Sequence, residues 1–155
     1  VTQFVSTGLL MKRFNKKGFS LPELAVIVAV VGIVSAIAAP NYLDFMAGRR
    51  LKGAARMVMS DLLAARQKAV SQNIGVAVTF TSNYGYTITG ESARDIRSDY
   101  YDVTLSPSGS PISFTSGGTM TGNTNVTVTL TSARTGATQC VMTASTGRVK
   151  IDVCP

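Results

Sequence analysis

Three hydrophobic patterns follow one another along the chain. From Phe19 to Ala39 almost every position is apolar, and Glu23 is the one charge in that run of 21 residues. From Leu51 the apolar positions thin to Leu51, Ala55, Val58, Leu62, Ala65 and Ala69, in steps of four and three, which is one stripe on a helix. Lys52, Arg56, Gln67 and Lys68 fall off that stripe. From Ile74 the period becomes two: Val76, Val78 and Phe80 alternate with Ala77 and Thr79, and Ser82-Asn83-Tyr84-Gly85 supplies a turn before Tyr86-Thr87-Ile88. Further alternating runs lie at 103–105, 112–114, 126–130, 140–143 and 149–153, with Thr and Ser on the second face as a half-buried antiparallel sheet requires.

These patterns predict an α+β fold: a helix from about Ser20 to Asn73, then an antiparallel β-domain. At about 1.5 Å per residue the helix would be about 80 Å long. The expected divisions are a leader over residues 1–18, an apolar half-helix over 19–40, an amphipathic half-helix over 41–73 and a β-domain over 74–155. Ser106 to Pro111 and Ser116 to Gly118 read as turns. The charged stretch Glu91 to Asp99 reads as an exposed loop. No glycine loop precedes a helix, so a dinucleotide site is not expected.

The apolar run follows Lys12, Arg13, Lys16 and Lys17, the arrangement of a membrane-targeting segment with its basic end on the cytoplasmic side. Met11 is the expected true start, because Val1 to Leu10 carry no export or structural signal. Three readings of the run stay open at this level: a processed filament anchor, a secretory signal cut after Ala36-Ile37-Ala38, and an uncleaved anchor. Glu23 favours the first, since a carboxylate in lipid is expensive and is kept for a partner or a pathway.

Composition narrows the chemistry. The net charge of +7 loses four with the leader cations, leaving +3 after Gly18, too little for overall charge alone to argue for nucleic acid. The sequence has no histidine and two cysteines, Cys140 and Cys154, so no Cys/His zinc set and no histidine-based catalytic arrangement can be built. An enzyme is disfavoured, and no cofactor or metal is expected. The cysteines read as one disulfide formed after export or as two buried thiols. A three-residue loop at Thr146 to Arg148 would set Cys140 opposite Cys154, whereas a two-residue loop would miss by one residue; a disulfide there would close a short loop worth about 3 kcal/mol.

Lys16-Lys17-Gly18-Phe19-Ser20-Leu21-Pro22-Glu23-Leu24 resembles the prepilin-peptidase site of type IV pilins and type II secretion pseudopilins. The resemblance implies cleavage after Gly18, N-methylation of Phe19, an assembly role for Glu23, and a helix bent or locally melted at Pro40. Pro22 departs from the aliphatic residue common before the glutamate, in a first turn that tolerates proline. The segment from Ser60 to Asn73, followed at once by strands, is similar to the GspH/FimT group of H-type pseudopilins and minor pilins. That implies a structural subunit of a secretion pseudopilus or a type IV pilus. Its partners would be prepilin peptidase, other pilins and the inner membrane, with one span and a periplasmic β-domain.

Two basic groups remain. Arg49, Arg50, Lys52 and Arg56 lie just beyond the apolar run, where anionic headgroups or neighbouring subunits are the expected partners. Gly147-Arg148-Val149-Lys150 near Cys154 resembles the Gly-Arg-x-Arg segment of FimT-type DNA-uptake pilins, with lysine replacing the second arginine. Strand alternation puts Arg148 and Lys150 about 7 Å apart on one face, in reach of successive phosphates of DNA, with Arg134 as a third cation if its loop folds nearby. The plainer alternative is an edge strand kept charged against sheet-to-sheet association.

Overall fold

The computed structural model describes residues 18–122 and 124–154. The leader, with Met11 and its four cations, lies outside the described residues. Two compact units divide between Ala38 and Ala39.

One helix, α1 (Leu21–Gln72), carries the first two hydrophobic patterns. Ser20 starts it: the Ser20 amide donates to Glu23 Oε2 at 3.4 Å and the Ser20 carbonyl accepts from the Leu24 amide at 3.1 Å. A serine three residues before a glutamate is a capping-box pattern, here using the glutamate half. The helix runs unbroken through Pro40, so the chain does not melt there. At the far end Asn73 takes a left-handed φ of 53°. The Ile74 amide then donates to the Ala69 carbonyl at 3.1 Å and the Asn73 amide to Val70 at 3.4 Å. This is a Schellman stop with asparagine where glycine is commoner.

Among the described residues the β-domain forms two sheets of four strands. Sheet A runs β3 (Arg94–Asp95), β2 (Gly85–Ile88), β1 (Val76–Phe80) and β5 (Ile112–Phe114) across its width, and sheet B runs β4 (Val103–Pro107), β6 (Val126–Ser132), β7 (Thr138–Thr143) and β8 (Val149–Asp152). Every neighbouring pair is antiparallel. Pro107 continues β4 where a turn was expected, which is tolerated because β4 is an edge strand.

The core forms as the alternation and the helical stripe require. Leu51, Ala55, Val58, Leu62, Ala65 and Ala69 of α1 are buried with Val76 and Val78 of β1, Leu105 of β4, and Val128 and Leu130 of β6. Alanines on the stripe let the strands approach closely. The stretch Glu91 to Asp99 is not simply an exposed loop: Arg94 and Asp95 form β3, residues 96–98 make a short 3-10 turn, and Ile96 is fully buried. Its many charges hide the single apolar residue that ties it to the core.

Candidate functional site

At the N-terminal end, Phe19 is 75% exposed, and the large apolar side chains from Leu21 to Ile37 are likewise uncovered. Helix α1 is long and apolar enough to cross a membrane. Gly18 and Phe19 sit just ahead of the helix, and Glu23 lies in its first turn among apolar neighbours. Its carboxylate meets the Ser20 amide, a contact that orients the acid back toward Phe19.

Beyond Pro40 the basic cluster splits by use. Arg50 grips Asp102 with two parallel bonds, Nε to Oδ1 at 2.7 Å and Nη2 to Oδ2 at 3.0 Å, and stacks over Tyr101 at 4.6 Å. Such a fork is geometrically strict. It holds the Asp102 carboxyl below its ordinary range and raises the Arg50 guanidinium. Arg49 instead leans back over the Phe45 ring at 5.7 Å. Lys52 and Arg56 are exposed and line a shallow depression with Gln139 and Ile151.

The C-terminal hairpin corrects the expected register. Met142 faces Lys150 and Cys140 faces Asp152, so Cys154 is not directly opposite Cys140. The loop is Ser145-Thr146-Gly147, one residue earlier than expected, because Gly147 with φ 80° supplies the left-handed last position. The expected loop would have placed Arg148 there. The cysteines still join: S–S is 2.09 Å and Cα–Cα 5.1 Å, with Cys154 reaching back from beyond the end of β8.

Arg148 and Lys150 are both exposed beside a groove of about 390 Å³ that Asn125, Thr127 and Met142 also line. Lys150 Nζ pairs with Asp152 Oδ2 at 2.5 Å, while the Arg148 guanidinium has no ion pair or hydrogen bond among the described residues. The pair lowers the Asp152 carboxyl, with help from the Val153 amide. Arg134 is not brought to this groove. It sits in the β6–β7 turn at the other end of β7 and its Nε donates to Asp44 Oδ1 of α1 at 2.8 Å.

One buried charge went unnoticed in the sequence. Asp61 of α1 accepts from the Tyr86 hydroxyl at 2.5 Å and pairs with Arg94 at 3.2 Å, and Arg94 reaches Glu91, which Lys68 also holds. Burial, then the bond to Asp61, pushes the Tyr86 phenol far above its ordinary value. The signal was present: Asp61 lies three residues after Val58, on the apolar face.

The profile of a family described as Type II transport protein GspH matches residues 54–147, and the Prokaryotic N-terminal methylation motif matches residues 13–39. The chain belongs to the GspH family. Its pilin-like fold is shared with the type IV minor pilin FimU of Pseudomonas aeruginosa, whose crystal structure superposes with a TM-score of 0.59 at 21% identity over 70% of this chain and 92% of that one. This GspH-family chain is also similar to the type IV major pilin protein PilA of Myxococcus xanthus, 33% identical over 51% of this chain and 40% of that protein. Fimbrial protein Q of Moraxella bovis is 32% identical over 51% of this chain and 53% of its own length. The GspH-family chain thus spans about half the length of these relatives or less. The GspH match ends at Gly147, so Arg148 and Lys150 lie outside it.

Proposed function

We propose that this GspH-family protein is a minor pilin or pseudopilin, a structural subunit of a type IV pilus or a type II secretion pseudopilus. The observation that carries the reading is the uncovered apolar half of α1 with the single acid Glu23 at its start, directly after Gly18-Phe19. Prepilin peptidase cuts after Gly18 while the apolar half lies in the inner membrane, and Phe19 gains a free amine and a methyl group. Glu23 of an incoming subunit then meets that amine in lipid, where an unpaired charge is costly, and the match sets subunit register. Pro40 lies where the apolar half gives way to the half packed on the β-domain, which faces the periplasm.

Intact mass and N-terminal sequencing of protein taken from its native membrane, with and without the peptidase, test the reading. A peptidase-dependent N-methyl-Phe19 is the expected result; an N-terminus at Ala39 would overturn it. Glu23→Ala is expected to block assembly and leave cleavage intact.

A second reading, DNA capture during uptake, is favoured by the unengaged, exposed Arg148 beside the groove. Lys150 keeps its charge but shares it with Asp152, and with Arg134 elsewhere the patch is small, so binding would be weak and salt-sensitive. Arg148→Gln with Lys150→Gln should abolish retention of duplex DNA by a folded protein. Retention at wild-type level by that variant removes this reading and leaves the structural one standing.

A further inference from the structure

Four features meet within a few turns of Pro40, all in the unit that begins at Ala39. Tyr42 and Phe45 are 62% and 59% exposed, large aromatic side chains just past the end of the apolar run. Arg49 lies over Phe45, its long side chain drawn back toward the helix start as helical side chains are. The β6–β7 turn, exposed from Ala133 to Thr138, comes down to the same level, because Arg134 is bonded to Asp44.

Distances along α1 say what that level is. Asp44 is four residues beyond Pro40, about 6 Å at 1.5 Å per residue. A headgroup layer is about 5–8 Å thick outside a hydrocarbon core of about 30 Å. If the run from Phe19 to Ala39 fills the core, Asp44 and the Arg134 guanidinium lie among lipid phosphates. Exposed aromatic side chains followed by arginine are the residues that anchor at such a boundary. Arg50, the residue after Arg49, is already paired with Asp102, whose carbonyl accepts from the Ala133 amide of the same turn.

We propose that the β6–β7 end of the β-domain docks on the phospholipid headgroup layer from which α1 emerges, with Tyr42 and Phe45 as apolar anchors and Arg134 and Arg49 as phosphate-facing cations. Asp44 holds Arg134 at headgroup level. Docking fixes the unassembled subunit upright on the membrane before it enters a filament. The inference rests on the membrane-anchored reading above.

The chain contains no tryptophan, so single tryptophans report depth without background. The mature chain is reconstituted at one copy per nanodisc of phosphatidylcholine and phosphatidylglycerol, with a nitroxide either on the headgroup or in mid-chain. Ala137→Trp at the β6–β7 turn should be quenched by the headgroup label, and Thr146→Trp at the opposite end of sheet B should not. Val30→Trp should be quenched by the mid-chain label.

Adding Arg134→Gln to Ala137→Trp should cut residence at the headgroups about fivefold, and Arg134→Lys should restore it. If Val30→Trp is quenched but Ala137→Trp is not, the docking inference is overturned and the anchor reading stands. If Val30→Trp is not quenched, both fall. Quenching of Ala137→Trp that needs a second copy in the disc would assign the surface to a neighbouring subunit instead.

Discussion

The hydroxyl of Tyr86 donates to the carboxylate of Asp61 at 2.5 Å, and this bond joins α1 to sheet A inside the core. Removing the acceptor leaves a buried hydroxyl with nothing to meet, whereas Tyr86→Phe leaves Asp61 with Arg94 still beside it. Asp61→Ala should therefore cost more, about 3 kcal/mol against about 1.5 kcal/mol, both read from thermal unfolding of the protein in detergent. The phenol also carries a pH signature. Its folded value is raised above an ordinary 10.0, so its contribution is complete below pH 10 and drains away as pH rises beyond that. Absorbance near tyrosinate should show Tyr86 ionising only with unfolding.

At the acid end the sign reverses. Asp102 is held below its ordinary 3.8 by the Arg50 fork, so its contribution is full above that pH and is lost as pH falls through the lower, folded value. Asp102→Asn should flatten the fall in melting temperature below about pH 4 while lowering stability at pH 7. An unchanged acid slope in that variant would show that other carboxylates set it.

Much of this was legible in the sequence because it rests on period and on single decisive residues. The stripe from Leu51 to Ala69 and the alternation at Val76 and Val78 each name their buried face directly. The N-terminal methylation motif matches one contiguous stretch, residues 13–39, which holds Gly18, Phe19 and Glu23. What was missed depends on contacts between distant segments. Ile96 is one apolar residue among charges, and Asp61 is one charge among apolar residues; only the packed fold shows that each is buried. The placement of Arg134 on Asp44 joins positions 90 residues apart, which no local pattern announces.

The disulfide gives a third expectation. Cys140 is buried and Cys154 closes a span of 14 residues around the last hairpin. Reducing it frees the chain end and β8, which packs Val149 and Ile151 against the core. Cys154→Ser should cost about 3 kcal/mol, measured by urea unfolding against the oxidised parent, and the parent in reductant should match it. A difference of less than about 0.5 kcal/mol would mean that β8 is held by its sheet bonds alone.

Two glycines in the same sheet test how far the hairpin register depends on one residue. Gly136 and Gly147 both have positive φ, 68° and 80°. A methyl group on Gly136 meets nothing within 4 Å, so Gly136→Ala should cost only the backbone strain, about 1 kcal/mol. On Gly147 the same methyl would lie 1.9 Å from the Gly118 carbonyl oxygen, which already accepts from Arg66 at 2.9 Å. Neither the backbone of residue 118 nor the helix that carries Arg66 can yield cheaply. Gly147→Ala should therefore cost about 3 kcal/mol or more and loosen the turn that presents Arg148. Hydrogen exchange at the Ala144 amide, bonded to the Arg148 carbonyl at 2.9 Å, reads that turn directly. Protection retained in Gly147→Ala would show that the left-handed glycine does not set the loop.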